Sequence, residues 1–183
     1  SYAYNAPHAW DEGWAFYAGS AQAVGSTSTS DLAYELAEKR CSDYTTCGAA
    51  GDEDSSARPS LVNRNLLYLY NLGLEQLIAA ECDSATITKN YIVSQMTIPL
   101  IQRTLKYVYK SDPAAGASSD DSSTNEKSTS EAWAFAAALL PLLNACDSTA
   151  AGTLYDNTNM GLGTSGAVPD GYAAVKAAIE GQY

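Results

Sequence analysis

The sequence has little basic charge and almost no histidine. Of its 183 residues, 10 are lysine or arginine, 21 are aspartate or glutamate and one is histidine, so the formal net charge is -11. Nucleic-acid binding needs a basic surface that offsets the phosphates, which argues against that class of protein. No apolar run approaches the roughly 20 residues that cross a bilayer. We therefore expect no nucleic-acid partner and no membrane span.

Common catalytic patterns are missing as well. A single histidine removes most Ser-His-Asp and Cys-His arrangements, and no GxSxG, HExxH or P-loop pattern occurs. One GxGxxG pattern, Gly161 to Gly166, follows no predicted strand and does not open the next helix. We interpret it as a loop rather than a dinucleotide site. A hydrolase with two catalytic carboxylates stays open in principle, but we expect a protein that is not an enzyme.

The four cysteines favour disulfide bonds. An even count is typical of proteins in an oxidising compartment, and neither a CxxC spacing nor a histidine pair supports a zinc site. The spacing favours Cys41 with Cys47 across a short loop, and Cys82 with Cys146 at the ends of two helices. Free thiols and metal ligation are the alternatives. We expect an extracellular or periplasmic protein.

Helical periodicity dominates and clean strand alternation is nearly absent, which predicts an all-α helical bundle. Pro99 and Pro141 fall inside predicted helices and should kink them. The segments 42–57, 111–128 and 151–169 are polar, glycine-containing or of low complexity, and are predicted to be loops. The predicted helices cover approximately residues 7–24, 31–41, 58–82, 84–110, 130–146 and 170–180.

A short motif, Glu-x-Trp-Ala-Phe, occurs twice. The first copy begins at Glu12 and the second at Glu131. The repetition suggests a single helical domain, 1–183, with pseudo-repeated halves. These halves are approximately 5–110 and 126–183, and the flexible acidic loop 111–128 separates them.

Carboxylates beside these motifs are candidate metal ligands. His8, Asp11 and Glu12 have i, i+3 and i+4 spacing, which places them on one side of a helix. Glu131 could complete the site from a facing helix, as in carboxylate metal sites of helical bundles. The apolar rings next to Glu12 and Glu131 predict that both carboxylates lie in the core. The alternative is structural: acidic residues stabilise a helix start and the aromatic residues simply fill the core.

Four further residues are candidates to surround this site. Glu75 lies within the apolar face of a long predicted helix, and Arg64 and Arg103 could pair with the acids. The phenol of Tyr17 could contact a ferric ion. Each is more often a structural or surface group.

At these residues the chain resembles a known family. It resembles the low-iron-inducible iron-assimilation, or high-CO2-inducible, periplasmic proteins of green algae over roughly residues 8–147. The resemblance rests on the stretches DEGWAFYAG, LAEKRCSDYTTC, SLVNRNLLYLYNLGLEQL and SEAWAFAAALLPLL.

The resemblance implies a secreted protein that binds iron, Fe3+ or Fe2+, without catalysis. The implied iron-binding role applies to Glu12 and Glu131 through the repeated motif. His8 and Asp11 are candidate ligands because of their helical spacing alone. The second copy has Lys127 and Ser130 at the positions of His8 and Asp11, so two equivalent metal sites are not expected. A membrane iron transporter or reductase would be the partner, and other divalent metals also accept carboxylates.

Two other functions stay open. The protein could be a structural or interaction module of the cell surface whose glutamates pair with Arg64 or Arg103. It could also be an enzyme that acts on a small anion, although the sequence lacks the three histidines of a common zinc hydratase site.

Overall fold

The computed structural model describes residues 2–19, 32–115, 122–163 and 167–182. These residues form an all-α structure, as predicted, and none of them belongs to a β-strand. No helix in these ranges is long and apolar enough to span a membrane. The helices are α1 (Tyr2–Ala18), α2 (Ala33–Tyr44), α3 (Leu61–Ile78), α4 (Cys82–Ser111), α5 (Ser122–Cys146), α6 (Ser148–Thr158) and α7 (Tyr172–Glu180), with 3-10 turns at Pro113–Ala115 and Met160–Leu162.

The chain divides into two compact units, Ser1–Pro99 and Leu100–Tyr183. The boundary falls inside α4, at the proline that was predicted to kink this helix. It does not coincide with the 111–128 segment that separates the pseudo-repeated halves in the sequence, and the duplication itself stays a prediction.

In the N-terminal unit, α1 and α2 pack against α3. Their shared core is rich in aromatic side chains: Tyr17 and Tyr34 are almost completely buried, and Leu66 of α3 lies beside them. Trp14 adds edge-to-face contacts with Tyr34 and Tyr70. Such ring pairs stabilise a core beyond the area that they bury.

The end of α1 and the start of α3 follow standard capping rules. Gly19, at φ 79°, donates its amide to the carbonyl oxygen of Ala15 and ends α1. Helical periodicity predicts that this helix extends to about Val24, but residues 20–24 lie outside the described ranges. Ser60 caps α3 because its side chain accepts a hydrogen bond from the amide of Asn63.

In the C-terminal unit, α6 packs against both α5 and α7. The aliphatic side chains of this core are fully buried: Leu139, Leu143, Leu154, Val175 and Ile179. Part of α4 joins the unit through an edge-to-face contact between Tyr109 and Tyr172.

The prediction of a loop over 151–169 is wrong for residues 151–158, which belong to α6. Asp147 caps this helix by accepting hydrogen bonds from the amides of Thr149 and Ala150. Burial of Leu154 then offsets the low helix propensity of the Thr- and Gly-containing sequence. The loop predicted over 111–128 is also too long, since α5 begins at Ser122.

Gly73 is predicted to be essential for the contact between α1 and α3. A Cβ at this position would lie 2.0 Å from Cζ2 of Trp10. Gly73→Ala should therefore lower the free energy of unfolding by about 1–3 kcal/mol through overpacking, measured by urea denaturation. Gly152→Ala is the matched control because, apart from its chain neighbours and the adjacent backbone of its own helix, no atom lies within 4 Å of the added Cβ. The control should raise stability by about 0.4–1 kcal/mol. Equal changes in unfolding free energy for the two variants would contradict the close packing of Trp10 against Gly73.

Candidate functional site

The predicted ligands His8 and Glu12 lie next to each other on the surface of α1. His8 Nδ1 is 3.8 Å from Glu12 Oε1, and the two side chains are 64% and 61% exposed. Asp11 is exposed beside them. The helical spacing therefore brings the imidazole and a carboxylate together, as expected from their i and i+4 positions.

The prediction that Glu12 lies in the core is wrong. Residues two positions apart on a helix point to different sides. Because Trp14 is the residue that packs against Tyr34 and Tyr70, Glu12 faces solvent. Phe16 shares that outward direction and is 83% exposed. The first Glu-x-Trp-Ala-Phe motif thus buries its tryptophan and exposes its glutamate.

Glu131 has a different environment in the C-terminal unit. Its Oε2 accepts a hydrogen bond of 2.8 Å from Arg103 Nη2, and the side chains of Glu131 and Arg103 are 27% and 17% exposed. The Arg103 guanidinium carbon also lies 4.6 Å from the Tyr107 ring centre and 5.0 Å from that of Phe135. Two aromatic contacts and one carboxylate therefore hold Arg103 in place. This is the arginine pairing that the structural alternative predicted.

Of the other residues predicted to surround the metal site, two lie on the surface and one lies in the core. Glu75 and Arg64 are exposed on α3. Tyr17 is buried, and its hydroxyl donates a 2.6 Å hydrogen bond to Asn63 Oδ1. Burial, together with nearby Tyr34 and Glu38, raises the pKa of Tyr17 above its ordinary value. The phenolate that a ferric ion would need is therefore disfavoured at Tyr17.

Within the described ranges, no three His, Cys, Asp or Glu side chains are grouped so that they could hold a metal ion. The His8–Glu12 pair supplies two donors, an imidazole nitrogen and a carboxylate oxygen. Glu12 and Glu131 belong to different units, so a metal shared by the two carboxylates stays a prediction.

The N-terminal unit also contains a buried carboxylate that is not among the site residues predicted from the sequence. Glu38 of α2 is completely buried. Its Oε1 accepts hydrogen bonds from the Ser60 amide at 2.7 Å and from Asn63 Nδ2 at 2.6 Å. Tyr34 and Cys41 of α2, at i-4 and i+3 from Glu38, are buried as well. That helical stripe was visible in the sequence and could have indicated the burial of Glu38.

Arg58 links this carboxylate to the disulfide. Its Nε lies 3.3 Å from Glu38 Oε2, an ion pair without hydrogen-bond alignment. Its Nη1 contacts Cys47 Sγ at 2.8 Å and Cys41 Sγ at 3.2 Å, and its Nη2 donates to Ser42 Oγ. The carboxylate is therefore enclosed by its partners and cannot reach a ligand in solvent. It is a structural group.

One of the two predicted disulfides is confirmed. Cys41 and Cys47 are bonded. The two cysteines of the other predicted pair, Cys82 and Cys146, are free and exposed in this structure. Cys82 opens α4 in the N-terminal unit, whereas Cys146 ends α5 in the C-terminal unit. Because the two cysteines belong to different units, a disulfide between them stays a prediction.

Comparison with known proteins identifies no relative: no family model, no curated protein and no solved structure matches this chain. The resemblance to the algal iron-assimilation proteins therefore rests on the quoted sequence stretches alone.

Loss of the buried carboxylate is predicted to destabilise the N-terminal unit strongly. Glu38→Ala leaves Arg58 without its ion pair and the Ser60 amide without its acceptor. The expected cost is about 3–5 kcal/mol, measured by urea denaturation. Glu75→Ala is the control, since an exposed glutamate should change stability by less than about 0.5 kcal/mol. Similar losses of unfolding free energy in both variants would show that the buried Glu38 contributes no more to stability than an exposed glutamate.

Proposed function

We propose that the protein is a non-enzymatic, secreted or periplasmic metal-binding protein that assists iron assimilation. The observation that carries the proposal is the pairing of His8 with Glu12 on the exposed side of α1, 3.8 Å apart. An imidazole and a carboxylate separated by one helical turn can chelate one cation. Asp11, one position before Glu12, is the third donor that could join them.

The exposed position of this pair suits cargo rather than a permanently bound cofactor. An ion on an open helix surface keeps water in its remaining coordination positions and exchanges readily. The surplus of acidic residues supports the same role, because a net charge of -11 raises the local concentration of cations. A membrane iron transporter or reductase would receive the ion.

The location outside the cell is supported by the Cys41–Cys47 disulfide. Disulfides persist in oxidising compartments and are rare where thiols are kept reduced. The proposed periplasmic or extracellular site of action is the place where an acidic protein would meet iron before its uptake.

A second candidate function is a structural or interaction module of the cell surface. The observation in its favour is the Arg103–Glu131 pair, which engages the second repeated glutamate without a metal. If both motifs serve packing alone, added metal leaves the stability of the protein unchanged.

Metal-dependent unfolding separates the two functions. Chelator-stripped protein is heated with Fe(III)-citrate, Fe(II), Mn(II), Zn(II) or Ca(II). A metal present at about one hundred times its dissociation constant should stabilise the protein by about 2.7 kcal/mol. We expect this stabilisation, measured as a rise in Tm, only with iron. It should disappear in the His8→Ala and Glu12→Gln variants, since each variant removes one of the two donors.

The control for Glu12→Gln is Glu75→Gln, the same charge change at an exposed position of α3. The control should keep the metal response. No Tm rise with any metal would sink the iron proposal and favour the structural module. A response that also disappears in Glu131→Gln would add Glu131 to the ligands and require displacement of Arg103.

A further inference from the structure

A small cavity between α1 and α3 has aromatic walls and one carboxylate at its edge. Its volume is about 100 Å³, and α1 contributes Trp10, Asp11 and Trp14 while α3 contributes Tyr70. The remaining lining comes from two leucines and an asparagine of α3. The cavity lies wholly within the N-terminal unit.

The ring of Tyr70 stands at a steep angle to the rings of Trp10 and Trp14. The plane of Tyr70 makes an angle of 62° with Trp10 and 66° with Trp14, at centre-to-centre distances of 5.8 and 5.3 Å. These rings meet edge to face, and all three line the cavity.

The position of Trp10 is fixed by two contacts. Its indole Nε1 donates a 2.9 Å hydrogen bond to the carbonyl oxygen of Tyr70, and its ring lies directly against Gly73, where no side chain intervenes. Because its N–H is already used, the indole has only carbon atoms and π electrons to offer a ligand. Trp10 is thus a preformed wall, which lowers the ordering cost of binding.

The chemistry of this lining selects a cation with an apolar surface. Aromatic faces attract positive charge through their quadrupoles, and quaternary ammonium groups are bound in this way by aromatic cages. The exposed carboxylate of Asp11 adds an attractive charge at the rim. A hydrated metal ion is a poor match, because it prefers several oxygen ligands and most of this lining is carbon.

The size of the cavity restricts the ligand further. A cavity of about 150 Å³ can hold benzene, so a space of about 100 Å³ suits a smaller group. A trimethylammonium group has four heavy atoms outside its substituent and fits that limit. We propose that the cavity formed by Trp10, Trp14, Tyr70 and Asp11 binds the trimethylammonium head of a small organic cation. This inference does not rest on the metal-binding proposal, although Asp11 has a role in both.

The test uses tetramethylammonium and choline as probes, with NMR detection of the indole N–H signals. Both probes should shift the signals of Trp10 and Trp14 in a saturable way. Trp133 belongs to the other unit and serves as an internal control whose signal should not move. The neutral isostere 3,3-dimethylbutan-1-ol has the same shape as choline without its charge. It should bind about five- to thirtyfold more weakly.

Variants then assign the contributions. Trp14→Leu should abolish saturable binding of the probes, and Asp11→Asn should weaken it severalfold without removing any core contact. Glu12→Gln is the matched control, since it removes one charge from the same helix but does not line the cavity. It should leave the choline affinity within about twofold while it removes the metal response. The two proposals can therefore fail separately.

Several results would overturn this inference. Equal affinity for choline and its neutral isostere would mean that charge plays no part. Absence of saturable shifts at Trp10 and Trp14, or equal shifts at Trp133, would mean that the cavity is not the binding site. Equal loss of choline affinity in Asp11→Asn and Glu12→Gln would mean that Asp11 contributes only through the net charge of the protein and not through its place in the cavity.

Discussion

Burial of the Glu38 carboxylate is the constraint on which the N-terminal unit depends. A buried charge is tolerated only when hydrogen bonds and an opposite charge replace water. Those partners come from separate parts of the chain: Arg58 beside the disulfide, and Ser60 and Asn63 at the start of α3. Asn63 in turn accepts the hydroxyl hydrogen of Tyr17 on α1. One carboxylate thus connects α2, α3, the disulfide loop and, through Asn63, the helix that carries both proposed binding sites.

Much of the fold could be predicted from the sequence because helical periodicity records which positions are buried. The long helix α3 is predicted correctly to within a few residues, since its leucines recur along one face. Helix α6 could not be predicted in this way. It is short, contains Gly152, and depends on the Asp147 cap and on tertiary burial of Leu154.

The candidate site was predictable only in part. Helical spacing correctly brings His8 close to Glu12, because that relation is local. Whether this side of α1 faces the core depends on how the helix is rotated, and the burial of Trp14 against Tyr34 and Tyr70 decides it. The pairing of Arg103 with Glu131 joins residues 28 positions apart. Spacing within one helix contains no information about such a contact.

Native-state hydrogen exchange at the Ser60 amide is the most direct test of this account. Ser60 precedes the first turn of α3, where amides have no partner inside the helix, so its protection depends on the bond to Glu38. We expect this amide to exchange as slowly as the buried amides of α3, through global unfolding. Exchange as fast as that of the exposed residues 51–56 would show that Glu38 does not hold the start of α3, and would contradict the central role given to this carboxylate.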